Sequence, residues 1–454
     1  MRDEHFPAFP SFPFSQLKNF RVGRSLPSAP CVRSVRSSPT KQLLFRENRD
    51  DDYSIEDLSV AIEATAGAGA ARRIRFGMVG GGEGAFIGGV HRFAARLDDQ
   101  FELVAGALAS SAEKAQRSGA ALGLAADRSY PDYTTMAAAE AKREDGIEAV
   151  AIVTPNHMHA PVAEAFLKAG IHVICDKPLA VSSKDARKLQ ALAQKRDLLF
   201  AVTYNYTGYP MVRQMRQMVR DGMLGDIRVV QVEYPQDWLT DAVEQTGQKQ
   251  AGWRTDPAKA GLGGCIGDIG THAYQLADYV TGIAVTEVLA ELTAFVPGRR
   301  LDDNAHVMLR YANGARGTLW SSQVAPGNEN NLRLRVYGSR GGLEWRQELP
   351  NQLYWSPFGQ ATQMIARGTG AAGADAARVT RIPSGHPEGY LEAFATIYTE
   401  IGHAIRSRRT KGARLDPSVQ FPTVIDGVKG VVFVESVVKS SASGGKWVKV
   451  PRVD

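Results

Sequence analysis

The sequence predicts an α/β architecture that gives way to an α+β one: a parallel sheet wrapped by helices, then a mostly antiparallel sheet with one open face. Three observations carry this. From Arg72 to about residue 204, short apolar strands alternate with helical stretches of about 10–15 residues, the pattern of parallel βαβ units. The chain at the ends of those strands reads GGG, ALASS, TPNHMH, CDKP and TYNY, far more polar than the strands themselves. Beyond residue 205 the runs lengthen and alternate in polarity, as a sheet with one solvated face requires.

The elements follow in order. "RIRFGMVG" is a strand ending in glycines, and "VHRFAARLDD" continues as a helix. "FELVAGALA", "IEAVAIVTP", "IHVICDKP" and "LLFAVTYN" are the next strands, separated by helices in "SAEKAQRSGAALG", "APVAEAFLKAG" and "SKDARKLQALAQKRD". In the second region a helix, "MVRQMRQMVRDG", places Met211, Met215 and Met218 at core spacing. The alternating runs "IRVVQVEY", "VTEVLAELTAFV", "NAHVMLRYA", "ARGTLWSSQV", "LRLRVYGSRGGLEWRQ" and "QLYWS" follow. A Gly/Ala-rich loop (366–376) then precedes two helices, in "EGYLEAFATIYTEIGHAIRS" and "TVIDGVKGVVFVESVVKSSASGG". Residues 1–70 are rich in Pro, Ser and Arg without a sustained period, and are expected to be disordered, as an over-long start or a transit segment would be. The expected division is therefore 1–70 as an extension, 71–204 as a Rossmann dinucleotide-binding domain, 205–420 as a substrate-binding and oligomerisation domain, and 421–454 as a helix and tail packing back on the core.

The totals narrow the class. Apolar residues are 44% and charged residues 22%, the balance of a soluble globular protein. No apolar run reaches the roughly 18 residues of a membrane span. The net charge of +6 owes much to the first fifty residues, so no nucleic-acid partner is expected. Cys31, Cys175 and Cys265 lie far apart, which points to a reducing, cytoplasmic setting rather than to disulfides or a thiolate metal site.

Four strand ends and one later segment carry chemistry. In "GMVGGGEGAFIGGVH", Gly80, Gly82 and Gly84 let the backbone approach a pyrophosphate at a helix N-terminus, although Ala85 stands where a third glycine of G-x-G-x-x-G belongs. The second strand ends in Ala109, Ser110 and Ser111 with Lys114 beyond. No acid is present to hold the ribose hydroxyls, so NAD(P) with a slight lean to NADP is expected; the alternative is that a serine only caps the next helix. At the third, Thr154, Pro155 and Asn156 are placed to hold the nicotinamide ribose and carboxamide. There His157 and His159 form an H-x-H that lacks the Cys or carboxylate of a zinc set, so no metal is expected, and one histidine caps the helix or faces the cleft. The fourth ends in Asp176, Lys177 and Pro178, and Pro178 bars Lys177 from helical geometry. In "GLGGCIGDIGTHAYQLAD", Asp268 and His272 are an i, i+4 pair, so on an α-helix they share a face and the carboxylate can fix the imidazole tautomer. An N-cap aspartate with a core histidine would give the same spacing.

The chain resembles the glucose–fructose oxidoreductase/inositol dehydrogenase/MocA (Gfo/Idh/MocA) family of NAD(P)-dependent sugar and polyol dehydrogenases. The resemblance spans roughly residues 72–450 and rests on "TPNHMHAPVAEAFLKAGIHVICDKPLA", on "AGWRTDP" before "GGCIGDIGTHAYQLAD", and on the order of elements. It implies that Lys177 takes the place of the lysine in the family's Glu-Lys-Pro motif, with Asp176 for the glutamate and both residues at the cofactor. Gly263, Gly264, Asp268, Gly270 and His272 match the family's G-G-G-x-x-x-D-x-G-x-H-x-x-D, while Leu262 and Gln275 depart from it. An arginine frequent in the family would fall at Thr207, and the glycine loop departs around Glu83–Phe86. "ALASSAEKA" is similar to the corresponding segment of the NADP-carrying glucose–fructose enzyme.

The reading this supports is hydride transfer between nicotinamide and a secondary alcohol of a cyclic sugar, glycoside or inositol-like polyol. Lys177, Asp268 and His272 are the expected catalytic residues: His272 takes the hydroxyl proton, Asp268 orients it, and Lys177 stabilises the developing charge, with Lys177 the competing candidate for base. Tyr206, Trp253, Arg254, His272 and His386 are the expected substrate contacts. Competing readings are a glycosidase using NAD transiently, a sugar–sugar oxidoreductase with tightly held NADP, and a non-enzymatic sugar sensor. A homodimer or homotetramer is expected from the open sheet face.

Overall fold

The computed structural model describes residues 72–409 and 412–453. The expectation of a disordered extension at 1–70 lies outside the described residues, and residues 71–454 form one compact unit.

The first sheet has the order β2-β1-β3-β4-β5, all parallel. Its strands are β1 (Ile74–Gly80), β2 (Phe101–Ala107), β3 (Ala149–Val153), β4 (His172–Cys175) and β5 (Phe200–Val202). β3 and β5 are buried along their whole length because helices cover both faces. Helices Phe86–Leu97, Ala112–Ala121, Tyr133–Glu140, His159–Lys168 and Ser183–Lys195 supply the crossovers. Three start on side-chain caps: Ser111, Asp132 and Ser182 each accept a hydrogen bond from a first-turn N–H, worth about 1 kcal/mol apiece. The strand order reverses between β1 and β3, so the crevice for a ligand opens at their carboxyl ends.

The second sheet has nine strands in the order β13-β12-β11-β10-β6-β9-β8-β7-β14. These are β6 (Ile227–Pro235), β7 (Val285–Thr293), β8 (Asn304–Tyr311), β9 (Arg316–Ser322), β10 (Arg333–Gly338), β11 (Gly341–Arg346), β12 (Gln352–Pro357), β13 (Gln363–Ala366) and β14 (Val448–Lys449). All pairs are antiparallel except β6 with β9. One face buries Val230, Val232, Leu319 and Leu334 against the helix Pro210–Arg220, where Met211, Met215 and Met218 are fully buried. The other face leaves Val229, Met308 and Tyr337 exposed.

Two helices join the sheets. Tyr390–Arg409 belongs to the second region by sequence, yet its Phe394, Ile397, Tyr398 and Ile401 pack with Phe76 and Phe101 of the first sheet. Val424–Ala442, opened by a Thr423–Asp426 capping box, puts Val428 and Val431 into one core and Phe433 and Val437 into the other. The two cores are thereby joined through shared helices, and the site lies where the strand ends of the first sheet face the second motif.

Candidate active site

The turn after β1 is built on backbone that side chains would disrupt. Gly80 and Gly81 have φ of +80° and +73°. A Cβ on Gly82 would lie 2.6 Å from the Leu108 carbonyl oxygen. The third glycine of the motif is found at Gly88: a Cβ there would sit 2.3 Å from the Gly81 oxygen, so Gly88, one turn beyond Ala85, permits the close packing of helix on strand. Gly84 has a φ of +76° but open space around it, so it serves the turn and not the close approach. Arg92 Nη1 donates to the Gly81 oxygen at 2.7 Å, a tether the sequence did not single out. The helix Phe86–Leu97 has no side-chain cap, which leaves its first N–H groups for an anion. At the end of β3, the buried Thr154 hydroxyl has no protein partner. Uncapped N–H groups and an unpaired hydroxyl on either side of the crevice fit a dinucleotide.

Other expected cofactor contacts are differently employed. Ser111 Oγ accepts the Lys114 N–H at 3.4 Å, so the capping alternative describes it, while Ser110 is exposed and Lys114 half-buried. Asn156 Nδ2 donates to the Ala260 oxygen at 3.0 Å, tying the residue after Pro155 to the segment before the second glycine motif. His159 is fully buried, with Nδ1 2.7 Å from the Pro178 oxygen and Nε2 2.8 Å from the Thr154 oxygen. The expected cofactor contact from His159 is therefore corrected: both ring nitrogens are spent bracing the end of β3 against Lys177–Pro178, a cis peptide.

Lys177 follows β4 directly and crosses to the second motif. Its Nζ donates to the Asp268 main-chain oxygen at 2.6 Å and to Oδ1 at 3.0 Å. Asp268 Oδ2 accepts Arg254 Nε at 3.1 Å and Gln323 Nε2 at 2.9 Å. Burial opposes the charge on Asp268, but Lys177, Arg254 and Gln323 outweigh it and hold the carboxyl well below the usual range. The turn that carries Asp268 is pinned by Asp302, which accepts the Gly264 N–H at 2.6 Å and the Ile266 N–H at 2.8 Å. Burial pushes the Asp302 carboxyl up to about 6 against those bonds.

His272 stands beside this pair, 7% exposed, with the rings of Tyr206, Tyr204 and Tyr234 edge-on at 4.9, 5.7 and 6.3 Å between centroids. Burial, then Lys177, lower its proton affinity well below the ordinary value against the pull of Asp268 and Asp176, so the ring is neutral at pH 7. The expected Asp268–His272 bond is not formed. Residues Ile266–Gly270 make a π-helical turn, wider than an α-turn, so i, i+4 spacing does not stack the two side chains, and Asp268 is saturated by Lys177, Arg254 and Gln323.

The expected substrate residues divide. Arg254 and Trp253 do reach the site, but Arg254 is held by Asp268 and Gln250, its guanidinium 4.2 Å over the Trp253 ring and 5.9 Å from that of Trp238. Tyr206 is buried, its hydroxyl bonded to that of Tyr234, which donates to Asn330. Its part is to flank His272 and not to offer a free hydroxyl. His386 is exposed on a loop, and no bond or ring contact joins its side chain to the cluster among the described residues. That loop is anchored by the buried Arg367–Glu388 pair, and Arg367 also donates to the His386 main-chain oxygen. Thr207, at the position of the family's arginine, is buried with its hydroxyl on the Tyr204 oxygen. Gln323 and Trp238 escaped the sequence reading because single polar or aromatic residues at a strand end or in a loop carry no spacing signal.

A parallel sheet with a glycine turn at its switch point, facing a lysine–aspartate pair and a neutral histidine from an open-faced sheet, defines a nicotinamide-dependent oxidoreductase. Two family models match the chain: an oxidoreductase-family NAD-binding Rossmann fold over residues 74–204 and a Gfo/Idh/MocA C-terminal domain over 212–344. The chain belongs to the Gfo/Idh/MocA family of oxidoreductases. It is 54% identical to an oxidoreductase from Sinorhizobium meliloti of known structure, with a TM-score of 0.76, covering 84% of this chain and 100% of that one. An inositol dehydrogenase homologue from Azotobacter vinelandii, solved with NADH and myo-inositol, is 38% identical with a TM-score of 0.79, covering 84% and 98%. Levoglucosan dehydrogenase of Pseudarthrobacter phenanthrenivorans is 26% identical over 413 residues, 84% of this chain and 99% of that protein.

Proposed function

We propose that the protein is a dehydrogenase that oxidises a secondary alcohol of a cyclic polyol or sugar, inositol-like in shape, with NAD and also with NADP. The observation that carries the reading is the charged Lys177–Asp268 pair beside a neutral His272 at the carboxyl edge of the parallel sheet. Gly80, Gly81 and Gly82 with the uncapped helix would hold the pyrophosphate, and Thr154 and Asp176 the nicotinamide side. Nicotinamide supplies the hydride acceptor. His272 accepts the hydroxyl proton on a ring nitrogen, and Lys177, kept in place by Asp268, donates to the same oxygen and lowers the cost of its developing charge. Water is limited around this proton by Tyr204, Tyr206 and Tyr234. Acceptance of NADP is supported by Ser110 and Ser111 where an acid would repel a 2′-phosphate, and by the nearby Lys114.

The relatives acting on or bound to inositol and levoglucosan support a cyclic, uncharged polyol as substrate. A cytoplasmic homodimer or homotetramer is consistent with the open sheet face and with Cys175 and Cys265 buried as free thiols. No helix among the described residues is long and apolar enough to cross a membrane. The test is nicotinamide absorbance with a panel of inositols, levoglucosan and hexoses, each with NAD and with NADP. Reduction with at least one cyclic polyol is expected. Release of a leaving group without net reduction would replace the reading with a glycosidase, and binding without turnover would replace it with a sensor.

A further inference from the structure

The helix that opens on the glycine turn carries a histidine with no place in the scheme above. His91 is fully buried, with Nδ1 2.8 Å from the Tyr398 hydroxyl and Nε2 3.2 Å from Asp176 Oδ1. Asp176 is the residue before Lys177. Its Oδ1 also accepts the Thr203 hydroxyl at 2.5 Å, from the end of β5. Its other oxygen, Oδ2, has no hydrogen-bond partner among the described residues, and the side chain is 16% exposed. An ionised carboxylate only accepts, so His91 must present Nε2–H to it in either protonation state. Tyr398 can donate to or accept from the opposite nitrogen, which keeps the ring satisfied and in one orientation. The ring is further wedged by Phe394 at 5.2 Å and by Tyr398 edge-on at 5.7 Å.

We infer that His91 is a positioning residue for the hydride-transfer site, keeping Asp176 ionised and turned so that Oδ2 is presented to the cleft beside Lys177. Asp176 is otherwise in a poor place for a charge. Burial opposes ionisation, and only the bonds from His91 and Thr203, with His159 behind, bring the carboxyl down to about 2. The titratable groups around it are Cys175 on its own strand, Tyr390 and Tyr398 on the helix Tyr390–Arg409, Lys177 beside it, and His272 and Asp268 across the cleft. The Asp176 charge raises the proton affinity of His272 in opposition to Lys177. Through His91, the helix that is set to hold the pyrophosphate is tied to the strand end that sets the charge at the reacting proton. The inference rests on the reading of Lys177 and His272 as a hydride-transfer site, but its structural core does not depend on the substrate.

Two measurements test it. In the cofactor-free protein, the ¹³C carboxyl signal of Asp176, assigned by its loss in Asp176→Asn, should stay flat from about pH 8 to about pH 5, and should titrate inside that range in His91→Phe. In turnover, loss of the Asp176 charge leaves His272 with a still lower proton affinity, so His91→Phe should move the acid limb of kcat/KM down by about one pH unit or more, a tenfold or greater change in proton affinity, while His91→Gln, which keeps an amide N–H for Asp176, should retain the wild-type limb. Thr203→Val should move the limb in the same direction, which keeps the test available if His91→Phe does not fold. A flat Asp176 signal in His91→Phe, or an equal loss of activity at every pH in the Phe and Gln variants, would overturn the inference. Absence of turnover with every polyol would sink the functional reading and leave the carboxyl titration to decide this one.

Discussion

At the scale of residues, the site is a question of which group is charged. Lys177 and Asp268 form a bonded pair, and His272 has been driven neutral by burial and by Lys177, so the imidazole is the available proton acceptor at pH 7. Because the proton affinity of His272 is lowered, its neutral form is present at all pH above its ordinary value. The kcat/KM for alcohol oxidation should therefore be level from about pH 8 down to about pH 6.5 and fall only below that, as read from a pH–rate profile. The same shift has a stability consequence. Below about pH 6.5 the unfolded chain binds a proton at His272 that the folded chain does not, so this group's contribution to stability is lost as pH falls. Asp268→Asn removes the charge that faces Lys177 and Arg254. It should lower kcat by about a hundredfold or more, in the range of lost electrostatic stabilisation, and leave the Kd for NADH within a few-fold, measured by nicotinamide fluorescence. The pairing of these residues was the part of the site least legible beforehand. The spacing of Asp268 and His272 reads as one α-helical face, and only the π-helical turn, with Arg254 and Gln323 arriving from distant segments, shows that the aspartate serves the lysine.

At the scale of elements, the parallel strands were legible because each is a short apolar run closed by a polar or glycine-rich end, and those ends are where the site stands. The helix Tyr133–Glu140 was missed because its eight Ala-rich residues show no apolar face, and β13 and β14 because strands of four and two residues carry too little alternation. The glycine turn shows how an imperfect motif still works: Gly88 does what Ala85 cannot, one helical turn later. Gly88→Val should force the helix from the strand, since even the first carbon would meet the Gly81 oxygen at 2.3 Å. The expected result is a loss of NADH affinity of about tenfold or more with the far-ultraviolet circular dichroism little changed; unchanged affinity would show that the turn does not bind the pyrophosphate.

At the scale of the whole molecule, the two sheets share their helices. Tyr390–Arg409 leaves the second sheet to complete the core of the first, and Val424–Ala442 enters both cores, so the second motif is held at a fixed distance from Lys177. Neither crossing was readable from the sequence, because an amphipathic pattern reports that a helix has a buried face and not which sheet receives it. The exposed face of the nine-stranded sheet is the other large-scale feature, with Val229, Met308 and Tyr337 at 38, 52 and 40% exposure among paired charges such as Arg333–Glu344. If a second copy covers it, Met308→Glu with Tyr337→Glu should reduce the mass measured by light scattering to that of the monomer, without loss of helix content; an unchanged mass would place the interface elsewhere.

The central claim is that Lys177 and His272 together carry hydride transfer to nicotinamide. Steady-state turnover of wild type, Lys177→Ala and His272→Ala with a cyclic polyol, at saturating NAD and with NADH affinity measured alongside, tests it most directly. The account predicts that both variants bind NADH nearly as wild type does and turn over at least about a thousandfold more slowly. A near-normal rate in either variant would contradict it.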